Sequence, residues 1–359
     1  MQRNIARMQQ RMNTLGVRFR PHVKTSKCAP VARAQLAAGA QGITVSTLKE
    51  AAQFYADGFK DILYAVGMVP AKLPLALALR RQGCDLKIIT DSVASAEAIA
   101  AFGREHGEKF EVWIEIDSDG HRSGIKPGEA ALLDVARALH EGGMLLGGVM
   151  THAGSSYDLN TPEALAAMAE QERAACVQAA ERVREAGFPC AVVSVGSTPT
   201  ALSAAQLAGV TEVRAGVYVF FDLVMHNIGV CATGDIALSV LTTVIGHQVD
   251  KGWAIVDAGW MAMSRDRGTQ KQAHDFGYGQ VCDADGVLLP GYVLSGANQE
   301  HGILSREGAP DTDIATRFPV GTQLRILPNH ACATGAQHPE YHALAESGAV
   351  HTWPRFYGW

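Results

Sequence analysis

The side chains with the clearest chemical potential lie in two short segments near opposite ends of the sequence. Lys24 lies within RPHVKTSK, residues 20–27, and His330 and Cys332 form a His-x-Cys pair. A lysine amine bonds to an aldehyde only when neutral, and burial and nearby positive charge lower its pKa. Lys24 is therefore a candidate for an amine that holds an aldehyde cofactor, with charge supplied by three basic neighbours: Arg20, His22 and Lys27. The alternative, which the local residues alone favour, is a solvated basic stretch before a helix.

Two glycine-containing segments have the composition of anion-binding loops. Residues 195–200 read VGSTPT, follow a short apolar run and precede a helical pattern. Residues 212–218 read EVRAGVY and form a second strand end. Small residues allow close backbone approach, and amide groups at a helix N-terminus bind phosphate. Either loop alone is an ordinary glycine turn, but the two together predict a phosphate site.

The His-x-Cys pair has the spacing of two side chains that meet on one side of an extended chain. His330 and Cys332 can therefore converge on a single ion. Two protein ligands are too few for a structural zinc site, which takes four. They leave room for water and substrate, which suits Lewis-acid catalysis. The alternative is a buried cysteine beside a turn histidine.

Strand-like and helix-like patterns alternate through the first two-thirds of the chain. Short apolar runs predict strands, and alanine-rich stretches predict the helices between them. The predicted strands are 42–45, 61–65, 86–89, 111–116, 146–150 and 192–195, and the predicted helices are 30–39, 48–57, 92–106, 129–141 and 162–186. Without a Gly-x-Gly-x-x-Gly motif after an early strand, this α/β alternation favours a TIM-type (β/α)8 barrel over a doubly wound sheet.

The pattern changes near residue 232, after which short β-type runs are separated by glycine and proline turns. We predict a barrel domain over residues 1–231 and a β-rich, β-barrel-like domain over residues 232–359. The metal pair falls in the second domain.

Composition narrows the class of protein. With 359 residues and 47% hydrophobic content, the chain can bury a sizeable core. A net charge of -5 gives no reason to expect nucleic acid as a partner, and no apolar run is long enough to span a bilayer. Seven scattered cysteines, an odd number, are typical of a reducing cytoplasm.

The segment RPHVKTSK closely resembles the lysine segment of the D-threonine aldolase and D-serine dehydratase group, which has the alanine-racemase type of fold. Further segments, from ITVSTLKEA to ILPNHACATGAQ, extend the resemblance along essentially the whole chain. It implies that Lys24 binds pyridoxal 5'-phosphate (PLP) covalently and that the protein forms a homodimer. Relatives usually carry an additional strand before the helix with which this sequence starts.

The resemblance also implies roles for other residues around the cofactor. His152 would pack against the ring, and Arg122 would meet the 3-oxygen. Tyr157 would contact cofactor or substrate, and Arg214 would approach the pyridine nitrogen. The remaining candidates would contact the phosphate: Thr198, Gly216 and Val217. A core histidine and a surface arginine are the alternatives for His152 and Arg122.

The second domain matches the group at its metal pair and at one more segment. The aldolases of this group carry His-x-Asp, whereas the dehydratases carry His-x-Cys, as in His330 and Cys332. Sulfur favours zinc, but such a site also accepts magnesium, manganese or cobalt. Glu300 and His301, in the recurring segment NQEHG, and Arg265 are candidates for substrate recognition.

The implied activity is a carbon–oxygen lyase acting on a small-molecule D-3-hydroxy amino acid. The first expectation is dehydration of D-threo-3-hydroxyaspartate to oxaloacetate and ammonia. D-serine dehydration and retro-aldol cleavage of D-threonine or 3-hydroxyaspartate are the alternatives. A non-catalytic PLP-binding protein belongs to a different class, and the presence of the β-rich domain argues against it.

Overall fold

The computed structural model describes residues 1–357. Its contacts divide the chain into two compact units. The parallel-barrel unit contains residues 2, 4–218 and 354–357, and the antiparallel-barrel unit contains residues 1, 3 and 219–353. The domain boundary expected at residue 231 stays a prediction.

Eight parallel strands form the sheet of the first unit. They are β1 (Arg18–Pro21), β2 (Ile43–Val45), β3 (Asp61–Gly67), β4 (Asp85–Thr90), β5 (Glu111–Ile116), β6 (Leu145–Thr151), β7 (Val192–Val195) and β8 (Glu212–Ala215). Their order is β1-β8-β7-β6-β5-β4-β3-β2, and β1 and β2 meet through one bridge between His22 and Thr44. The sheet is thus a nearly closed barrel, which confirms the predicted TIM-type fold.

Helices alternate with these strands. They are α1 (Gln2–Thr14), α2 (Ala29–Ala37), α3 (Leu48–Ala56), α4 (Leu73–Arg81), α5 (Val93–His106), α6 (Ala131–Glu141), α7 (Pro162–Glu185) and α8 (Thr198–Ser203). Side chains that accept backbone N–H groups begin several of them. Thr161, for example, accepts the amide of Ala164 at 3.2 Å, and Pro162 occupies the first turn. Such capping satisfies donors that have no partner inside the helix.

Strand β1 was not among the strands predicted from apolar runs, because its interior residue is charged. Arg20 is 3% exposed. Its Nε donates to Glu212 Oε2 at 2.9 Å, and its Nη1 donates to Asp61 Oδ1 at 2.8 Å. Two carboxylates therefore compensate the buried guanidinium, as a buried charge requires.

Six antiparallel strands close the second barrel, as predicted for the C-terminal part of the chain. They are β9 (Val240–Gln248), β10 (Trp253–Val256), β11 (Gln280–Asp283), β12 (Leu288–Ala297), β13 (Gly302–Arg306) and β14 (Gln323–Leu327). The short helices α9 (Leu223–Asn227), α10 (Trp260–Met263), α11 (Ile314–Arg317) and α12 (Ala331–Gly335) and the hairpin β15 (Glu340–Leu344) and β16 (Val350–Pro354) accompany them. Inward-facing aliphatic residues fill the barrel, including Val244, Val256, Leu294, Leu304 and Ile326.

None of the helices within residues 1–357 is both long and apolar enough to cross a membrane.

Candidate cofactor and metal sites

Lys24 lies in the lysine loop, residues 22–28, directly after β1. The His22 amide donates to Ala215 O at 2.8 Å and the Val23 amide to Thr44 O at 2.9 Å, so the loop is held between β8 and β2. The Lys24 side chain is exposed, so burial, one of the two expected causes of a neutral amine, is not observed. Because parallel strands end at the same face of a barrel, Lys24 lies at the face where such barrels carry their active sites.

Three predicted cofactor residues, Lys24, Arg122 and Arg214, carry charges that act on the same two histidines, His22 and His152. Burial lowers the pKa of His22 well below its usual range, and the charge of Lys24 lowers it further. Burial also lowers the pKa of His152 to about 3, with Lys24, Arg122 and Arg214 acting in the same direction. The structure therefore brings Lys24, Arg122 and Arg214 together around two neutral imidazoles.

The positive charge near Lys24 does not come from the three residues that were expected to supply it. Arg20 is committed to Glu212 and Asp61, and Lys27 pairs with Glu50 at 2.8 Å. His22 is neutral because its pKa is low. Arg122 and Arg214 are instead the cations that share the environment of His22 with Lys24.

The turn that carries Arg122 is tied down by acidic side chains. Asp117 Oδ1 accepts the Gly120 amide at 2.6 Å, and Asp119 Oδ2 accepts the Ser155 amide at 2.8 Å. The second bond links this turn to the short helical turn Gly154–Asp158, which carries Tyr157. The ring centroids of Tyr157 and His152 lie 6.1 Å apart.

The loop after β7 approaches β8 too closely to allow a side chain at Gly196. This glycine has φ 134°, and a Cβ there would lie 2.0 Å from the Arg214 carbonyl oxygen. A Cβ on Gly216 would likewise lie 2.9 Å from His22 O, so the loop after β8 packs directly on the lysine loop. Thr198 Oγ1 accepts the Tyr218 amide at 3.2 Å and connects the two candidate phosphate loops.

Three predicted residues of β8 and of the two candidate phosphate loops are buried, and Thr198 is completely so. Val217 is 7% exposed and Arg214 is 4% exposed. Arg214 Nη1 donates to Ser194 Oγ at 2.6 Å and its Nη2 to Thr151 O at 2.5 Å. The guanidinium is thereby fixed in orientation. Its approach to a pyridine nitrogen stays a prediction.

Glu172 is a residue that the sequence reasoning missed. It lies in the middle of α7 and is 1% exposed. Its Oε1 accepts the amides of Ala153 at 2.9 Å and Gly196 at 3.1 Å, and burial raises its pKa. One carboxylate thus connects the loop of His152 to the loop of Thr198. A signal existed, since Glu172 interrupts the otherwise apolar buried face of α7.

The second candidate site lies where β14 leads into α12. His330 Nδ1 lies 2.6 Å from Asp266 Oδ2, and the imidazole also hydrogen-bonds to Cys332. Burial acts against protonation, but these two bonds outweigh it and raise the pKa of His330 to about 11. Imidazole and thiol are therefore neighbours, as predicted, but the extended chain expected between them is wrong, because Cys332 lies in α12 with His330 as its N-cap.

A buried carboxylate orders the backbone of this turn. Asp222 is 1% exposed, and its Oδ2 accepts the Ala331 amide, between the two candidate ligands, at 2.9 Å. Its Oδ1 accepts the Met225 amide at 3.0 Å and caps α9. Nothing in the sequence identified Asp222 or Asp266 as partners of His330, since both lie far from it along the chain.

These donors fit a divalent ion. Contact of His330 Nδ1 with a carboxylate leaves Nε2 for a metal, which is the usual arrangement of a metal-binding histidine. The nitrogen and sulfur donor set suits zinc and other transition metals. Within residues 1–357, no group of three or more His, Cys, Asp and Glu side chains is arranged to hold an ion.

The three candidates for substrate recognition lie in two segments of the antiparallel-barrel unit. Glu300 and His301 are exposed at the turn between β12 and β13. The Arg265 guanidinium lies 4.8 Å from the Trp260 ring centroid. The Trp260 amide donates to Asn298 O at 2.9 Å, so this turn contacts α10. Within residues 1–357, no side-chain hydrogen bond or ion pair joins Arg265 to Glu300 or His301. The roles of these three residues stay predictions.

Comparison with known proteins decides the family. Residues 1–224 match the family model "Alanine racemase, N-terminal domain", and residues 237–344 match "Putative serine dehydratase domain". The chain is 74% identical to D-threo-3-hydroxyaspartate dehydratase of Delftia sp. (strain HT23), over all of this chain and 95% of that protein. The chain belongs to this dehydratase family.

Solved structures and a more distant relative agree with this family. The crystal structure of the Delftia dehydratase superimposes with a TM-score of 0.99 over all of this chain and 95% of that one. A cysteine-to-alanine variant of the same enzyme has been solved in a metal-free form. D-serine dehydratase of Dictyostelium discoideum is 28% identical over 97% of this chain and 91% of that protein.

The first site also fits the PLP that this family implies. Tight glycines at Gly196 and Gly216 bring two loop backbones together, as a phosphate cradle requires. Lys24 lies next to the second of these loops through the contact of Gly216 with His22. His152 supplies a flat ring that burial keeps uncharged, and Lys24 is close enough to lower the pKa of His152 further.

Proposed function

We propose that this chain is a PLP- and divalent-metal-dependent dehydratase of D-3-hydroxy amino acids. Its substrate would be D-threo-3-hydroxyaspartate, and its products oxaloacetate and ammonia. The observation that carries the proposal is that the loops of the candidate residues contact one another: a Cβ on Gly216 would lie 2.9 Å from His22 O, and His152 Nδ1 lies 3.0 Å from Gly196 O. The 74% identity to a dehydratase of this specificity supports the choice of substrate.

Each predicted residue has a role in this reaction. When bound, PLP supplies a ring that stabilises negative charge at the α-carbon, and a divalent ion supplies a Lewis acid for the leaving β-hydroxyl group. Lys24 Nζ would hold the cofactor and then take the α-proton. Arg122 would neutralise the 3-oxygen, and His152 would pack on the ring. Loss of water leaves an enamine, whose hydrolysis yields the keto acid and ammonia.

The phosphate and the ring nitrogen would be held by residues that the barrel already fixes. Thr198, Gly216 and Val217 would contact the phosphate, and Tyr157 would contact cofactor or substrate. Arg214 would face the pyridine nitrogen and keep it unprotonated. Because Arg214 is anchored by Ser194 and Thr151, it would hold that position without reorganisation.

His330 and Cys332 would hold the metal ion. All seven cysteines lie within residues 1–357, and Cys332 is the only one of them that is partly exposed. The metal-free form of a cysteine variant in the Delftia enzyme supports a metal role for a cysteine in this family. Magnesium, manganese, cobalt and zinc all remain candidates, and Glu300, His301 or Arg265 would recognise substrate.

A product assay tests the proposal. Incubation of the purified chain with D-threo-3-hydroxyaspartate should release oxaloacetate and ammonia in equal amounts. Glyoxylate and glycine would instead identify a 3-hydroxyaspartate aldolase. Turnover of D-serine in place of hydroxyaspartate would favour the second candidate, a D-serine dehydratase, which the match of residues 237–344 to a serine dehydratase domain supports. The homodimer and the cytoplasmic location stay predictions.

A further inference from the structure

Residues 354–357 belong to the parallel-barrel unit, although residues 219–353 before them belong to the other. Arg355 is 7% exposed, and Phe356 is half-buried. The Phe356 amide donates to the carbonyl oxygen of Lys27 at 2.7 Å. The Phe356 ring lies against the Phe54 ring, with centroids 4.8 Å apart. The segment therefore contacts both the lysine loop and α3.

The contacted residue has an unfavourable backbone conformation. Lys27 has φ 45°, in the left-handed region that non-glycine residues seldom adopt. Such a conformation persists only where surrounding contacts hold it. The Lys27 amide donates to Val23 O at 2.8 Å, and its Nζ lies 2.8 Å from Glu50 Oε1. Glu50 is 1% exposed, so this ion pair is well shielded from water.

Helix α3 anchors both sets of contacts. Glu50 and Phe54 are four residues apart and therefore lie on the same face of the helix. Thr47 caps the helix by accepting the Glu50 amide at 3.0 Å, and Glu50 Oε2 accepts the Ser46 amide at 2.9 Å. The start of α3 is thus fixed, and it holds Lys27 through Glu50 and Phe356 through Phe54.

We infer that Glu50, Lys27 and Phe356 form a clamp that holds the lysine loop in its cofactor-binding conformation. Lys27 lies three residues after Lys24, so its backbone geometry sets the path of the loop that carries the amine. The three are positioning residues, because they act through the loop. The inference rests on the proposed role of Lys24 as the cofactor lysine.

Substitution of Phe356 is the first test of the clamp. Phe356→Ala removes the ring contact with Phe54 and should loosen the loop. Hydrogen exchange of amides 24–28 should become faster in the full-length chain, and the dissociation constant for PLP should rise about tenfold, or about 1.4 kcal/mol. Tyr357→Ala is the matched control, since the neighbouring Tyr357 is 46% exposed, and it should change neither quantity.

A second series tests the ion pair independently of the aromatic contact. Lys27→Ala and Glu50→Gln each remove one charge of the pair and should weaken PLP binding by a similar factor. Lys27→Arg keeps the charge and should restore it. Arg33→Ala is the control, because Arg33 pairs at 3.5 Å with exposed Asp57 at the other end of α3. If the ion pair only stabilised the fold, each loss of PLP affinity would be accompanied by a lower thermal midpoint. Weaker PLP binding at an unchanged thermal midpoint, restored by Lys27→Arg, would therefore support the clamp.

Borohydride reduction and peptide mapping of the wild-type chain separate this inference from the proposed function. A reduced adduct on Lys24, with wild-type PLP affinity in Phe356→Ala and Lys27→Ala, would overturn the clamp and leave the proposed function intact. Faster loop exchange with unchanged PLP affinity would also overturn it. An adduct on a different lysine would refute the assignment of Lys24 and the clamp's link to the cofactor. Faster exchange with weaker binding and the adduct on Lys24 would support it.

Discussion

The two candidate sites differ in how the chain assembles them. In the parallel-barrel unit, the cofactor candidates come from loops after β1, β5, β6, β7 and β8. In the antiparallel-barrel unit, the candidate ligands His330 and Cys332 lie two residues apart and need only Asp266 and Asp222 as partners. The first site therefore depends on the whole barrel, whereas the second depends on one turn and on two carboxylates from elsewhere in its own unit. Damage to the second should be local.

The largest effect is expected at the amine of the first site. Lys24→Ala should abolish the absorbance of the lysine-bound cofactor and lower turnover by about 10³-fold or more, in line with loss of a catalytic base. Lys60→Ala, at an exposed lysine, should leave both unchanged. An unaltered absorbance spectrum in Lys24→Ala would remove Lys24 from its role.

Removal of the proposed metal ion tests whether damage to the second site leaves the first site intact. Cys332→Ala, or exhaustive chelation of the wild-type chain, should lower turnover by more than about 100-fold, since loss of an outer partner alone costs 10–100-fold. PLP absorbance and the thermal midpoint should change little, and adding zinc or manganese back should restore the chelated wild type. Full activity after exhaustive chelation would contradict the metal site.

Glu172 tests the long-range assembly of the first site. Glu172→Ala leaves the buried amides of Ala153 and Gly196 without their acceptor, so the free energy of unfolding should fall by about 3 kcal/mol. Urea denaturation measures this loss. Glu170→Ala is the control on the same helix, because Glu170 pairs with Arg173 at an exposed position and should cost under about 1 kcal/mol. Equal losses in the two variants would contradict the bridging role.

The pH dependence of stability gives a second test of Glu172. Burial raises the pKa of Glu172 above its ordinary value. A raised native pKa gives a stabilising contribution that is present at low pH and is lost as pH rises through that pKa. Glu172→Gln keeps an acceptor oxygen but does not titrate. The stability of the wild type relative to Glu172→Gln should therefore fall with rising pH, and a constant difference would show that Glu172 does not titrate in this way.

The smallest effect is expected at the outer partner of the metal pair. Asp266→Asn should lower metal affinity by about 10–100-fold, because the carboxylate no longer orients the His330 ring. Asp275→Asn is the control, since Asp275 pairs with Arg267 and should leave metal affinity unchanged. Titration of the metal-depleted chain with zinc measures both. Equal affinities would mean that Asp266 does not orient His330.

The separation of contacting residues along the chain also explains what could be predicted from the sequence. The six apolar runs proved to be strands β2–β7, because burial of parallel strands on both faces demands apolar residues. Strand β1 contradicts that rule at Arg20, whose partners Glu212 and Asp61 lie far away in the sequence. Helix α4 was also missed, because its alternation of leucine and alanine has no clear helical period.

Within the sites, local chemistry was predictable and long-range contacts were not. The closeness of His330 and Cys332 in the sequence indicated their meeting, although Cys332 proved to be helical and not extended. Asp266, 64 positions away from His330, was not identified as its partner. The lysine segment indicated Lys24, yet the expected charge donors Arg20 and Lys27 proved to be paired elsewhere. Pairing of charges is a property of the fold, which a local sequence window does not contain.

Burial of the thiols has a practical consequence. Six cysteines are buried, and burial raises the pKa of five of them, Cys28, Cys84, Cys176, Cys190 and Cys282. A thiolate-specific alkylating reagent should therefore modify the folded chain once, at Cys332. If Cys332 binds the proposed metal ion, coordination would shield its sulfur from alkylation, and the fraction of chains modified would count the metal-free chains in a preparation before any substrate is added.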